Sequence, residues 1–250
     1  MIGIVGGVGP LAALDIATKI IEETLTETEQ DHLPVLLHSQ PQLIVDRAEY
    51  LLGKVAENPA YAIANSILEL EKEGATVVAM PCHAAHAPRI FEVVEEELVK
   101  AGSRVRLLHL VEETAQFIQH EGGVSSVGIL ATAVTKNSGL YRNSLSKHDL
   151  QAIEPDEELQ ARIEAAIADP TYGIRAVSSP VSNRARQEII NAITDLKKAG
   201  AQSIIMGGTE FNLALHEKES DGLPLIDPNR ILARALIREF ALNKLRGLSI

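Results

Sequence analysis

The residues best placed to do chemistry lie in one heptapeptide, Met80-Pro81-Cys82-His83-Ala84-Ala85-His86. An apolar run at 76–80 reads as a strand ending at Pro81, and the residues after Cys82 suit the start of a helix. A thiol there meets the partial positive charge of a helix N-terminus, which favours the thiolate. A thiolate can serve as nucleophile or as general base. A lone cysteine is most often a small buried hydrophobe, but the strand-end position favours a working role for Cys82. Cys82, His83 and His86 are too tightly spaced to converge on one ion, so no metal is expected.

A second candidate is Gly7-Val8-Gly9-Pro10-Leu11-Ala12, which follows a strand and opens a helix with Pro10 at a favoured first position. It matches the G-x-G-x-x-A form of the dinucleotide fingerprint. The next strand, however, ends in His38-Ser39-Gln40 without the acidic residue that would hold a ribose, and Pro10 removes an amide. The glycines fit better as a close backbone approach to a small ligand's carboxylate. Arg47 and Arg175 each offer a planar fork of donors suited to a carboxylate, although most arginines are solvated surface groups. Thr132, Thr135 and Ser138 form a hydroxyl cluster after the strand at 127–130, with helix N-capping as the equal alternative.

These residues need a scaffold, and the patterning supplies one. Strand-like runs at 2–5, 35–37, 76–80, 105–109, 126–130, 203–206 and 223–226 alternate with helical spacing at 11–24, 60–73 and 183–199. Continuous apolar strands separated by helices indicate parallel sheets covered on both faces, an α/β fold. The chain also repeats itself: 73–82 aligns with 199–208, and 2–7 aligns with 127–132 at nearly the same offset. A duplicated half follows, giving two pseudo-symmetric lobes, the first of 1–108 plus 225–250 and the second of 109–224. Ligands of such folds bind at strand C-terminal ends, so the site is expected in the crevice between the lobes. Cys82 and Gly208 would occupy corresponding positions there.

Composition narrows the functional classes. The chain has 250 residues and is 46% hydrophobic but only 3% aromatic, so its core must be built from Ile, Leu, Val and Ala. A formal net charge of −11 repels phosphate backbones and argues against nucleic acid, while a local arginine pair can still hold a small anion. No apolar run approaches the roughly 20 residues of a spanning helix. The opening MIGIVGG lacks the basic region of a signal peptide, and a single cysteine excludes a disulfide framework. A cytoplasmic location is expected.

Taken in order, the motifs resemble the aspartate racemase branch of the Asp/Glu racemase superfamily. Gly6-Gly7-Val8-Gly9-Pro10 resembles G-G-M-G-P, and Gln30-Asp31-His32-Leu33-Pro34-Val35 resembles Q-D-H-I-P-V. Pro41-Gln42 with Asp46-Arg47 resembles N-P-Q-I-P-D-R, and Pro81-Cys82-His83-Ala84-Ala85-His86 resembles P-C-N-T-A-H. Further matches are Val111-Glu112-Glu113-Thr114-Ala115, the segment Leu130-Ala131-Thr132 through Tyr141, Gly207-Gly208-Thr209-Glu210 against G-C-T-E, and Pro224-Leu225-Ile226-Asp227-Pro228.

The resemblance implies a PLP-independent, metal-free racemase, without cofactor, in which two cysteines flank the substrate α-carbon. One removes the α-proton and the other delivers a proton to the opposite face. It assigns Cys82 as one acid/base and puts Gly208, which has no side chain, at the second cysteine. It gives Gly7, Gln40, Val45, Asp46, Arg47, His83, Ala84, Thr132, Thr135, Arg175, Thr209 and Glu210 as the substrate-binding set. Arg47 and Arg175 fall to the side-chain carboxylate, whereas His83 and Ala84 replace the family Asn and Thr at the α-carboxylate. The partner implied is a small acidic amino acid or dicarboxylate, and the assembly a homodimer. With Gly208 in place, three functions stand open. They are an impaired or altered racemase using His83, Glu210 or water as second base, a single-cysteine decarboxylase or isomerase of a small diacid, and a non-catalytic binder of an acidic ligand.

Overall fold

β-Branched runs and amphipathic stretches alternate along the chain and fold into two α/β units, described for residues 1–247 by a computed structural model. One unit takes Met1–Thr114 and the chain from Asn229 onward; the other takes Ala115–Pro228. The crossings expected at 108/109 and 224/225 thus fall at 114/115 and 228/229. Residues 225–228 stay with the second unit because the strand at 223–226 pairs within its sheet. Among the described residues, no helix is long and apolar enough to cross a membrane.

In the first unit the order is β1 (Ile2–Val5), α1 (Pro10–Glu23), β2 (Val35–His38), α2 (Arg47–Leu51), α3 (Ala60–Lys72), β3 (Val77–Ala79), α4 (Pro88–Lys100) and β4 (Arg106–Leu108). The four strands form one parallel sheet ordered β2-β1-β3-β4. Helix α5 (Leu110–Glu121) carries the chain onward. The second unit contains β5 (Ser126–Ala131), α6 (Ala133–Asn137), α7 (Leu140–Lys147), β6 (Gln151–Ile153) and α8 (Glu157–Ala168). It continues with α9 (Asn183–Lys198), β7 (Ser203–Gly207), α10 (Thr209–Ala214), β8 (Glu219–Ser220) and β9 (Leu223–Ile226). Its sheet runs β6-β5-β7-β9-β8, parallel except for β8. Helix α11 (Pro228–Ala241) brings the chain back to the first unit.

Burial follows strand position. Every residue of β1, β3, β5 and β7 is buried, whereas the edge strands β2 and β6 are only partly so. Helices therefore cover both faces of the inner strands, as continuous apolar runs require. The unpredicted strands are the short edge pieces β6 and β8, whose Gln-Ala-Ile and Glu-Ser sequences carry neither an apolar run nor a clear alternation.

The two sheets share one packing device. A β-carbon on Gly3 would stand 2.8 Å from Val78 Cγ2, 3.0 Å from Ala75 Cβ and 3.3 Å from Leu70 Cδ1. A β-carbon on Gly128 would stand 2.5 Å from Ile204 Cδ1, 3.0 Å from Ala201 Cβ and 3.4 Å from Leu196 Cβ. Gly3 pairs with Val78 across β1 and β3, and Gly128 with Ile204 across β5 and β7. The residues around the two glycines are those that the internal repeat aligns. Glycine is thus needed in each first strand so that the helix preceding the central strand can close down on it.

Helix α11 is fastened by charge. Arg230 and Arg234 both bond Glu23, Arg238 bonds Glu113, Arg106 bonds Glu239, and Asn229 bonds Asp15. Burial alone would raise the Glu23 pKa, but the guanidinium groups of Arg230 and Arg234 bring it below the usual carboxylate range.

The close approach at Gly128 generates a test. Gly128→Ala should destabilise the protein by about 1–3 kcal/mol through overpacking, read as the urea unfolding midpoint. Ile204→Val removes the clashing methyl and costs about 0.5–1.5 kcal/mol alone. Together they should cost clearly less than the sum; strict additivity would show that Ile204 does not limit the space.

Candidate active site

Parallel strands deliver their carboxyl ends to the same side of a sheet. In the first unit β2, β1 and β3 are neighbours, so the segments after His38, Val5 and Ala79 emerge side by side. Gly7 has φ +78, and a β-carbon there would stand 2.9 Å from the Pro41 nitrogen and 3.0 Å from the Gln40 carbonyl carbon. The loop after β1 thus lies backbone-to-backbone on the loop after β2, which only glycine permits.

Arg47 binds these loops together. Its Nη2 donates to the Val8 carbonyl at 2.7 Å and its Nη1 to the Val45 carbonyl at 3.5 Å, while its Nε is buried without a partner. Asp46 caps α2, its Oδ1 accepting from the Glu49 amide at 2.9 Å. Gln40 and Val45 are half-buried along the same loop. Much of the Arg47 fork is therefore spent on backbone carbonyls.

Cys82 follows β3 through a tight turn in which its amide donates to the Met80 carbonyl at 2.9 Å. Its side chain is half-buried. The expected helix after it is a single 3₁₀ turn, His83–His86, and α4 begins only at Pro88. Pro88 holds Ala87 extended at φ −61, ψ 138, and so prevents one continuous helix. Contrary to the expected helix end, one 3₁₀ turn sums few peptide dipoles and puts little positive charge beside Cys82.

A buried imidazole braces this turn. The Cys82 carbonyl accepts from the Ala85 amide at 3.2 Å and from His86 Nδ1 at 2.9 Å. His86 is 1% exposed, with Phe91 stacked at 5.3 Å and His109 edge-on at 4.7 Å between ring centroids. Burial, with the neighbouring His109 second, pushes the His86 pKa well below that of a free imidazole, so the ring is neutral and carries its proton on Nδ1. Sequence reasoning weighed His86 only as a metal ligand and passed over His109, which it had placed at the end of a strand run. Beside Cys82, His83 is buried and Ala84 offers only a methyl group. Among the described residues, no group of three His, Cys, Asp or Glu is arranged to hold a metal ion.

In the second unit the Thr132 hydroxyl caps α6, accepting from the Thr135 amide, and lies 3.2 Å from Thr135 Oγ1. Capping is thus what this hydroxyl pair does in the fold. Glu164, which the sequence did not single out, accepts from the Ala133 amide at the same helix start.

Gly208 precedes α10 as Cys82 precedes its own turn, each one an extended cap residue beyond its unit's central strand. Gly208 has φ −168, a conformation any residue adopts. A β-carbon there would stand 3.0 Å from the Phe211 ring and 3.2 Å from Glu210 Oε2. Glu210 Oε1 in turn accepts from Arg175 Nε at 2.9 Å and Nη2 at 2.7 Å. The Glu210 side chain is 17% exposed and that of Arg175 60%. The space beside residue 208 is thus flanked by a carboxylate that an arginine holds in place, with Thr209 half-buried next to it.

The structure thus groups Gly7, Gln40, Val45, Asp46, Arg47, Cys82, His83 and Ala84 at the strand ends of one unit. Thr132, Thr135, Gly208, Thr209, Glu210 and Arg175 belong to the other.

Comparison with known proteins agrees with this architecture. The sequence model of the Asp/Glu/Hydantoin racemase family matches residues 5–236. The chain is 27% identical over 246 residues to the broad specificity amino-acid racemase RacX of Bacillus subtilis, covering 96% of this chain and 98% of that protein. It superposes on the aspartate racemase of Picrophilus torridus with a TM-score of 0.76 at 26% identity, over 98% of this chain and 95% of that one. An aspartate racemase homologue from Pyrococcus horikoshii shares the fold, with a TM-score of 0.75 at 22% identity over 95% and 97% of the two chains.

His86 can be tested without any assay of turnover, because Cys82 is the only thiol. His86→Ala should loosen the turn and speed the labelling of Cys82 by an aromatic disulfide severalfold; an unchanged rate would remove the bracing role. A second readout is pH. The folded pKa lies below the unfolded 6.5, so on acidification the unfolded chain binds the proton first. The stability from the neutral ring is complete above that value and lost as pH falls below it. The fall in Tm between about pH 7 and pH 5 should therefore be shallower in His86→Asn than in the parent.

Proposed function

Because the chain belongs to the Asp/Glu/hydantoin racemase family, we propose that it transfers the α-proton of aspartate or a related acidic amino acid, using Cys82 as acid/base and no cofactor. The observation that carries this reading is the placement of Cys82. The chain's one thiol is half-buried at the carboxyl end of a central strand, next in the sheet to the strand that leads into the glycine loop. Strand ends are where folds of this class bind ligands.

Racemisation needs two groups. One takes the α-proton, leaving a planar carbanion, and the other protonates the opposite face. Gly208 supplies nothing at the position of the second cysteine, so the second role falls in our reading to Glu210. Its Oε2 lies 3.2 Å from the point where a β-carbon of residue 208 would stand. The thiolate of Cys82 takes the proton from the α-carbon, and the carboxylic acid of Glu210 gives one to the other face. The reverse direction starts from the thiol and the carboxylate. Arg175 holds the Glu210 carboxylate in place through its Nε and Nη2. Its remaining Nη1, with Arg47 Nε, is proposed for the substrate's distal carboxylate.

The single-cysteine alternative is favoured by one observation, the bare Gly208, and a single experiment separates the two. The protein is incubated with L- and D-aspartate in D₂O, and α-deuteration and enantiomer composition are followed together. The expected result is deuteration with interconversion, lost in Cys82→Ala and reduced roughly 10²-fold or more in Glu210→Gln. Deuteration with retained configuration would assign a one-base enzyme instead. Binding without deuteration, persisting in Cys82→Ala, would assign a binder and end the racemase reading.

Gly208→Cys offers a further check. The backbone already suits a side chain, and the Glu210 carboxylate and Phe211 ring need yield only a few tenths of an ångström. Interconversion should rise in this variant, and a rate no higher than the parent's would show that the rest of the pocket does not serve a second thiol.

A further inference from the structure

Three strands of the second sheet end side by side in the order β6-β5-β7, and a carboxylate lies just beyond each. Glu154, next after β6, is paired with Arg142, and Glu210, beside Gly208 after β7, is paired with Arg175. The carboxylate beyond β5 comes from another element, as Glu164 of α8. Its Oε1 accepts from the Ala133 amide and, at 3.4 Å, from Nε2 of Gln160 one turn earlier on the same helix. Gln160 is 7% exposed and is itself anchored, the same nitrogen donating to the Ala131 carbonyl at 2.9 Å.

Glu164 is thus held by one oxygen and left with the other. Among the described residues nothing donates to its Oε2 and no cation pairs with it. Lys136, on the helix whose first amide Glu164 takes, sends its ammonium to the Pro155 carbonyl instead. Glu164 is partly buried, and a carboxylate taken out of water is ordinarily matched by a cation or by donors on both oxygens. Capping alone does not call for a charge here. Any carbonyl oxygen would satisfy the Ala133 amide, and Thr132 already caps the helix. The place of this unmatched charge is also specific. Ala131 pairs with Gly207 in register, so the segment that Glu164 holds lies next to Gly208.

We propose that Glu164 receives the α-ammonium group of the substrate and so makes the site select an amino acid over a plain dicarboxylic acid. The inference rests on the reading above, in which Cys82 and Glu210 work on one α-carbon. The ammonium group is bonded to that same carbon and needs an acceptor. Arg47 and Arg175 are donors only and serve carboxylates. They cannot tell aspartate from succinate, which has the same two carboxylates and no nitrogen. Glu164 Oε2 supplies the acceptor. A carboxylate beside the nitrogen also keeps it protonated. With no cofactor in the proposed reaction, that positive nitrogen is what draws charge from the carbanion at the α-carbon. Gln160 is a positioning residue, since it fixes the oxygen that Glu164 does not offer.

The test is calorimetric binding of L-aspartate and of succinate to the full chain, with and without Cys82→Ala to prevent interconversion. Aspartate should bind roughly 10–100-fold more tightly than succinate. Glu164→Gln keeps an oxygen for the Ala133 amide and puts an NH₂ group in place of the free oxygen. It should bring aspartate down to the affinity of succinate, with circular dichroism unchanged. Succinate itself should bind as before or more tightly, because a negative charge has gone. If that variant does not fold, the comparison on the unaltered chain decides. Equal affinities there, or no binding of aspartate at millimolar concentration, overturn the proposal. So does a variant that weakens both ligands alike, as loss of a purely structural cap would. The racemase reading is judged separately, by α-deuteration of aspartate in the parent, so the two failures are told apart.

Discussion

Each sheet depends on one close approach, that of a side chain of the central strand to a glycine in the strand beside it. Val78 lies over Gly3, and Ile204 over Gly128, in each case with an alanine from the preceding turn and a leucine from the preceding helix. Any larger residue would push that helix away and shift the register. Because register fixes where the central strand ends, these contacts determine where Cys82 and Gly208 stand. The places of both residues are therefore set by packing many residues away from them. The two units reuse the same solution with different side chains, which makes the correspondence between residues 82 and 208 a matter of geometry as well as of alignment.

That correspondence is where the two halves part company. The first unit puts a thiol beyond its central strand and stiffens the turn beneath it with a buried neutral imidazole. The second puts hydrogen there, and fills the neighbouring space with a carboxylate and a phenyl ring. A thiolate and a carboxylate differ in basicity and in reach. Arg175 pairs with Glu210 and holds that carboxylate in place.

Much of this was legible in the sequence because it was written in apolar runs. The inner strands were found since burial on both faces leaves them continuous, and the repeat was found since the glycine contact constrains the same four positions twice. The edge strands β6 and β8 were not, because half-exposed pieces of two or three residues carry no pattern. The helix expected after Cys82 failed for a local reason that was present in the text: Pro88 forbids residue 87 a helical conformation. The Arg175–Glu210 pair could not be read, since residues 35 apart in sequence meet only through the tertiary fold. Nor could the ring of His86, Phe91 and His109, in which spacing says nothing of a shared pocket.

The first unit is interrupted, its last helix arriving only after the whole of the second. On the ribosome this imposes an order. Residues 115–228 emerge as an uninterrupted stretch holding every strand of their own sheet, so that unit can close while the chain is still being made. The earlier half must wait, with Glu22, Glu23, Glu113 and their neighbours unpaired, until the arginines of α11 leave the tunnel. The portion that is synthesised first is thus the portion that is finished last, and a nascent chain cut short before Asn229 would carry one complete unit and one that lacks its clasp.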